Sequence, residues 1–343
     1  MMSLKSDQIF RTDLRMLVDK LREIYGKNRR RIEYTLFGEP IFSPYPIIRL
    51  RNKIIRGYPI SDSRLHYLEF IPHRHRVFTL DSSLKMLFDL GPYKIIIAKI
   101  VAGIWRGFNK IVDFNPIMRI NIVENRREAA EWLLRIELEA FLNIVDRIGF
   151  NDYCILDRGL MALPAFKKST RELIERLDKI VSAKGGILVG ISKASQLSLN
   201  TGQGLLGYLV YFANKRLPKT PWYYYPIFRT SSLPSWYIGD ICVVKFSHEV
   251  ENVFRIDVSR NSLYRTDIKH ILGEIAFLQD PGIPGYPYPV KSVHDEAKIG
   301  RDEYEIFKHR FMEILEEEGI LKQFLADIDS ISFREKFLLG DFS

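Results

Sequence analysis

Apolar residues recur every three or four positions over residues 7–27, at Ile9, Phe10, Leu14, Leu17, Val18, Leu21 and Ile24. That spacing predicts an amphipathic helix, ending in the basic run KNRRRIEY. Residues 38–66 hold no period, and the prolines of GEPIFSPYPIIRL predict extended or loop structure. From residue 76 the pattern becomes short, nearly continuous apolar runs. RVFTLDSS (76–83) predicts a buried strand running into a turn, YKIIIAKIVAGIWR (93–106) a second strand and PIMRINIVEN (116–125) a third. A helix follows over 126–148, then the strand DYCILDRG (152–159), a helix over 169–184 and the strand GILVGISK (186–193). Further on the chain predicts a helix over 202–217 and strands in PWYYYPIF, WYIGDICVVKFSH and NVFRIDVSR. Helices over 266–278 and 301–325 complete it. No repeat or low-complexity linker is visible, and the chain reads as a core over 75–300, an N-terminal segment 1–74 and a helical tail 301–343.

The order β-β-β-α-β-α-β predicts an α/β (α+β) fold, a mixed five-stranded sheet with helices on its faces and further strands and helices at the periphery. Ribonuclease H-like folds share this order, and in them acidic residues on neighbouring strands converge on metal ions; many α+β domains share the order as well. The chain has 343 residues, 46% hydrophobic and 27% charged, enough for a large buried core. A formal charge of +9 favours a polyanionic partner, nucleic acid above all. Cys154 and Cys242 lie in apolar runs without metal or redox spacing, which predicts two buried thiols. The N-terminus lacks the apolar core of a signal peptide, and Lys99 and Arg106 interrupt the most apolar window. These features predict a cytoplasmic protein with no membrane partner.

Two aspartates follow apolar runs: Asp81 in FTLDSSL and Asp157 in CILDRGL. A carboxylate ending a buried strand is costly unless paired, hydrogen-bonded or metal-bound. Hard divalent cations take such oxygens, although an aspartate capping a turn is the plain alternative. On the helix between them, Leu134, Leu138, Phe141, Val145 and Ile148 mark the apolar face. Glu137 stands at its rim, within reach of a metal at the strand ends; Glu131 flanks the other edge and Glu139 lies on the far side. Lys193 closes the fifth strand, as a phosphate contact or as an exposed strand-end lysine. In GYPYPVKSVH (285–294), glycine and prolines stiffen a frame carrying Tyr286 and His294. A histidine there can ligate metal, move a proton or contact phosphate, or be purely structural. The aromatics of PWYYYPIF can stack on unpaired bases or fill a core.

Taken in order, these pieces resemble the NurA nuclease family. The family's Asp-Gly-Ser strand end is matched by LDSS (80–83), its helix acid by Glu137 and its second Asp-Gly-Ser-Leu by LDRGL (156–160). Its Gly-Ile-Ser/Ala-Lys strand is matched by VGISKAS (189–195), its Arg-Ile/Val-Asp strand by FRIDVSR (254–260), and its closing Gly-Tyr-Pro…His segment by GYPYPVKSVH. The resemblance implies a manganese-dependent (or magnesium-dependent) nuclease, binding one or two ions, with a ribonuclease H-like core. It implies 5′–3′ exonuclease and single-strand endonuclease activity on DNA ends, a homodimer, and partnership with a hexameric HerA-type translocase in double-strand break resection. Carried over, the catalytic set is Asp81, Glu137, Asp157, Lys193, Tyr286 and His294, with Asp81, Glu137, Asp157 and His294 as metal ligands and Asp257 a further candidate. Ser82 and Arg158 depart from the family, standing where it has glycine after each aspartate; Arg158 is placed to contact phosphate or narrow access. A non-catalytic DNA- or translocase-binding adaptor and another ribonuclease H-like nuclease, such as a junction resolvase, are the alternatives.

Overall fold

Two long antiparallel strands, β1 (Arg76–Asp89) and β2 (Lys94–Arg106), form the centre of the main sheet. The computed structural model describes residues 14–22, 44–50, 53–193, 195–280, 282 and 284–328, with the backbone of 33–34 and 40–41. These residues fall into two compact units. One comprises 70–191, 236–239 and the described residues from 258 onward. The other holds the described residues up to 69, with 192–235 and 240–257.

In the first unit, β2 turns through Gly107 into β3 (Asn109–Asp113), with Arg106 paired to Asn109. Gly107 sits at φ +59°, which a two-residue hairpin turn demands and glycine supplies without strain. This strand is absent from the sequence-based expectation. After β4 (Ile117–Val123) comes the helix α1 (Arg126–Ile144). Asn125 caps α1 by accepting from the Glu128 amide at 3.0 Å, which satisfies one of the orphan N–H groups of the first turn. β5 (Tyr153–Leu156), α2 (Lys168–Ala183) and β6 (Ile187–Ser192) complete the predicted series.

The sheet order is β6-β5-β1-β2, and β4 and β3 share a fifth position along β2. β4 pairs residues 94–100 of β2 and β3 pairs 103–106. β5 and β6 run parallel to β1, and β2 antiparallel. The sheet is therefore mixed; β6, β5, β1, β2 and the shared β4/β3 position are five of the positions in a larger sheet of ten strands.

The continuous apolar run of β2 follows from coverage of both faces. Ile96, Ala98 and Ile100, with Phe78 and Leu80 of β1, pack against Leu134, Leu138 and Phe141 of α1 and Ile174 and Leu177 of α2. Fully burying each such side chain contributes about 1.5–3 kcal/mol. On the other face Ile95 and Ile97, with Leu87 and Phe88, meet Tyr304, Phe307 and Phe311 of the helix Arg301–Glu317. Lys99 on that face is 9% exposed and bonds Glu303 at 2.8 Å. The C-terminal helical segment thus packs back on its own unit. The helix predicted over 301–325 is interrupted at Gly319, at φ +73°, where Ile320 N–H returns to the Leu315 carbonyl in a Schellman closure.

The turn expected after Asp81 is not there. β1 continues to Asp89, because antiparallel β2 keeps pairing it after parallel β5 has ended at Leu156, opposite Leu80. Asp81 is a mid-strand residue, largely buried, lying just past the end of the β5 pairing on one edge of β1.

The second unit carries a four-strand order Leu65–Tyr67, Trp222–Tyr224, Gly239–Lys245 and Phe254–Ser259, and a small sheet of Ser198–Leu199, Pro46–Arg49 and Ile54–Arg56. Trp222, Tyr223 and Tyr224 are buried, so the aromatics that sequence offered for base stacking fill a core. Both cysteines are buried and free. The helix over 14–22 is exposed throughout; the remainder of the predicted 7–27 helix and the basic run after it lie outside the described residues apart from the strand 33–34. Among the described residues no helix is long and apolar enough to cross a membrane.

Candidate metal centre

Register brings the two aspartates together. Leu156 lies opposite Leu80 in the parallel β1–β5 pair, so the next residue on each strand, Asp157 and Asp81, is delivered to the same place. The two carboxylates lie just past the last pair of the parallel ladder.

The segment after residue 278 supplies the opposite wall. The Asp280 amide donates to the Tyr286 carbonyl at 2.9 Å and the Tyr288 amide to that of Leu278 at 2.7 Å, closing a short loop. Gly285, at φ +92°, makes the turn, and its amide donates to Gln279 Oε1 at 3.0 Å. The Tyr286 ring is buried and its hydroxyl donates to Asp157 Oδ1 at 2.7 Å. Pro287 then opens α3 (Tyr288–Ala297). One turn from the end of α3, His294 Nδ1 lies 2.6 Å from Asp81 Oδ2 and 3.9 Å from Asp157 Oδ2. Ser83 Oγ donates to the Ala297 carbonyl and ties the helix to β1.

Asp81, Asp157 and His294 each offer one ligand atom, all within 4.8 Å of one another. Two carboxylate oxygens and an imidazole nitrogen suit a hard to borderline divalent ion such as Mn²⁺. A small closure of these side chains gives ligand spacing, so the donor set fits the ion that the family resemblance implies.

Glu137 approaches from elsewhere. Side chains alternate along a strand, so Ser82 points away from the face that carries Asp81 and Ser83. Ser82 Oγ donates to Glu137 Oε1 of α1, and Arg158, the residue after Asp157, pairs with Glu137 Oε2. Glu137 is 3% exposed and sits beside the Asp81 charge without joining its ligand cluster. The other two helix acids are engaged differently. Glu131 accepts from the Lys167 amide at 2.5 Å and Thr170 Oγ1 at 3.1 Å, and Glu139 lies 3.9 Å from Arg135 in an exposed pair. Lys193 is exposed just past β6 and belongs to the second unit. So does Asp257, buried and gripped by Arg255 Nε and Nη2 at 2.7 and 2.8 Å.

The charges strain one another. Burial, then the neighbouring Asp157, push the Asp81 carboxyl above its usual range, against the hydrogen bond to His294. Burial also raises Glu137, opposed by Arg158 and Ser82. Burial and Asp157 raise the Tyr286 hydroxyl, which keeps its proton and remains a donor. A cation between Asp81 and Asp157 relieves the repulsion that a folded, metal-free chain otherwise carries. Sequence reasoning marked Ser82 and Arg158 as departures but had no signal that both meet one glutamate; nor did it find Ser83.

A mixed sheet of spatial order 3-2-1-4-5, helices on both faces and carboxylates from the first and fourth strands define a ribonuclease H-like fold with a candidate divalent-cation site. Neither a protein-family profile nor a curated protein matches the sequence. Among solved structures, the fold is that of the NurA nucleases. The crystal structure of the NurA nuclease from Sulfolobus solfataricus is similar with a TM-score of 0.53 at 14% identity, covering 75% of this chain and 89% of that one. A crystal structure of NurA gives 0.51 at 10% identity, covering 90% and 97%. NurA with manganese gives 0.50 at 10% identity, covering 73% and 91%.

Proposed function

We propose that this chain is a metal-dependent deoxyribonuclease whose ion is held by Asp81, Asp157 and His294. The observation that carries the reading is the convergence of those three ligand atoms within 4.8 Å at the end of a parallel strand pair. A divalent cation there supplies positive charge for a phosphodiester and lowers the pKa of water. Tyr286 orients Asp157 through its hydroxyl, and His294, with 45% of its side chain exposed, serves as a ligand or, in place of ligation, as a proton donor. Glu137 acts on the centre through Ser82 and through its charge. Lys193 is retained as a phosphate-binding candidate. The net charge of +9 fits a polyanionic substrate.

The likeness to NurA supports finer assignments under the same proposal. These are Mn²⁺ or Mg²⁺ as the ion, 5′–3′ exonuclease and single-strand endonuclease action at DNA ends, a homodimer, and a HerA-type hexameric translocase as partner in break resection. The test is an end-labelled duplex incubated with Mn²⁺. Cleavage is expected from the wild-type chain and lost in Asp81→Ala and Asp157→Ala; cleavage that persists in both rejects the proposed centre. Metal-independent, salt-sensitive DNA binding without cleavage would mark an adaptor instead. Preference for a four-way junction over a free end would mark a resolvase.

A further inference from the structure

We infer that Arg158 makes this a one-ion centre, holding Glu137 as an ion pair outside the coordination set, where its guanidinium takes the electrostatic place of a second cation. The inference rests on the proposed metal centre and concerns its capacity. Both oxygens of Glu137 are already engaged, Oε1 by the Ser82 hydroxyl and Oε2 by Arg158 Nη2. The ligand atoms that converge come from Asp81, Asp157 and His294, and Glu137 is not among them.

Backbone placement makes the arrangement fixed rather than incidental. Ser82 follows Asp81 within β1 and Arg158 follows Asp157 just past β5, so the residues that restrain Glu137 are set by the same backbone segments that present the ligands. Gly190 of β6 lets that segment lie close: a Cβ on it would stand 2.3 Å from the Arg158 carbonyl oxygen. Charge leads to the same conclusion. Counted formally, the carboxylates of Asp81, Asp157 and Glu137 are three anionic groups and Arg158, paired to Glu137, offsets one, leaving two for a single divalent ion to balance. With small residues in place of Arg158, the three carboxylates would be left with a charge that one such ion does not neutralise, and Glu137 Oε2 would be open to a second.

The experiment is a count of bound Mn²⁺ on the full chain, read from the electron paramagnetic resonance of the free ion during titration. Wild type is expected to take one ion per chain, Arg158→Lys one, Arg158→Gly two, and Arg158→Gly with Glu137→Gln one. Circular dichroism checks that each variant is folded. Two ions on the wild type, or one on a folded Arg158→Gly, overturn the inference; if Arg158→Gly does not fold, Arg158→Ala takes its place, with two ions expected and one overturning it. One ion bound with no DNA cleavage would reject the nuclease reading and leave this inference standing, whereas cleavage with two ions bound would do the reverse. No Mn²⁺ bound at all overturns both.

Discussion

Arg158→Ala strips the guanidinium from a carboxylate whose side chain is only 4% exposed. Removing one partner of a buried ion pair costs about 3–5 kcal/mol, because the other charge is left desolvated. Here Arg158 is itself 31% exposed and water can enter behind it, so solvent screening lowers the expected loss to about 1.5–3 kcal/mol. Ser82 remains as a donor to Oε1 and keeps the loss from the upper end. At about 2–4 °C per kcal/mol, the metal-free melting temperature should fall by about 3–12 °C. The pH dependence has a definite sign. Burial already raises the Glu137 pKa above 4.5, and Arg158 is the main influence opposing it. Without Arg158 the folded value rises further above the unfolded one. Stability is then complete below the ordinary glutamate range and is lost as pH rises through the folded value. The variant should therefore lag wild type more at pH 8 than at pH 5. Adding Glu137→Gln removes the orphaned charge and should recover part of the loss, giving a non-additive double-mutant cycle. The assay is thermal unfolding by circular dichroism in chelator, at both pH values, for all four chains. An equal deficit at pH 5 and pH 8, or strictly additive losses, would refute the buried-pair account.

The remaining predictions concern the ligands and their supports. Asp81→Asn should raise the metal-free melting temperature by about 1–3 °C, since it ends the repulsion with Asp157, and should abolish the further rise given by Mn²⁺; a Mn²⁺ rise that survives the substitution contradicts the ligand assignment. Tyr286→Phe keeps the buried ring but loses the 2.7 Å hydroxyl bond to Asp157, costing about 1 kcal/mol. Mn²⁺ affinity by calorimetry should fall about tenfold, as for other supports of a ligand, and an unchanged affinity would deny Tyr286 that role. Because burial and Asp157 make Asp81 hold its proton above the ordinary aspartate range, Mn²⁺ affinity should drop as pH is lowered from 7 to 5; a flat profile would count against it. Gly190→Ala places a methyl 2.3 Å from the Arg158 carbonyl oxygen and 3.1 Å from the Leu160 amide, both backbone atoms. It should destabilise by about 1–3 kcal/mol and weaken Mn²⁺ binding together, because the segment that must move carries Asp157; stability lost without any change in affinity would separate the two.

Much of the sheet was legible because strand and helix periods are local properties. The runs at 95–105, broken only by Lys99, and 153–156 are apolar without alternation, and each proved to be buried on both faces. Asp81 and Asp157 stood out for the same reason, as carboxylates that nothing in their own segments could satisfy. The segment 285–294 was also readable, since proline fixes its own φ and glycine admits the positive φ of a tight turn wherever they occur. What local pattern could not supply was register and facing. That Asp81 is in mid-strand depends on β2, whose pairing continues to Asp89 after β5 has stopped. That Asp157 meets Asp81 depends on Leu156 lying opposite Leu80, a match across 76 positions of chain. The sequence placed Glu137 at the rim of an apolar helix face; only the packing of α1 on the sheet decided that it faces Ser82 and Arg158 while the aspartates face His294. Residue types and periods fix what each segment can bury and which groups it must satisfy. The partners that satisfy them come from elsewhere in the chain, and only the assembled sheet chooses among them.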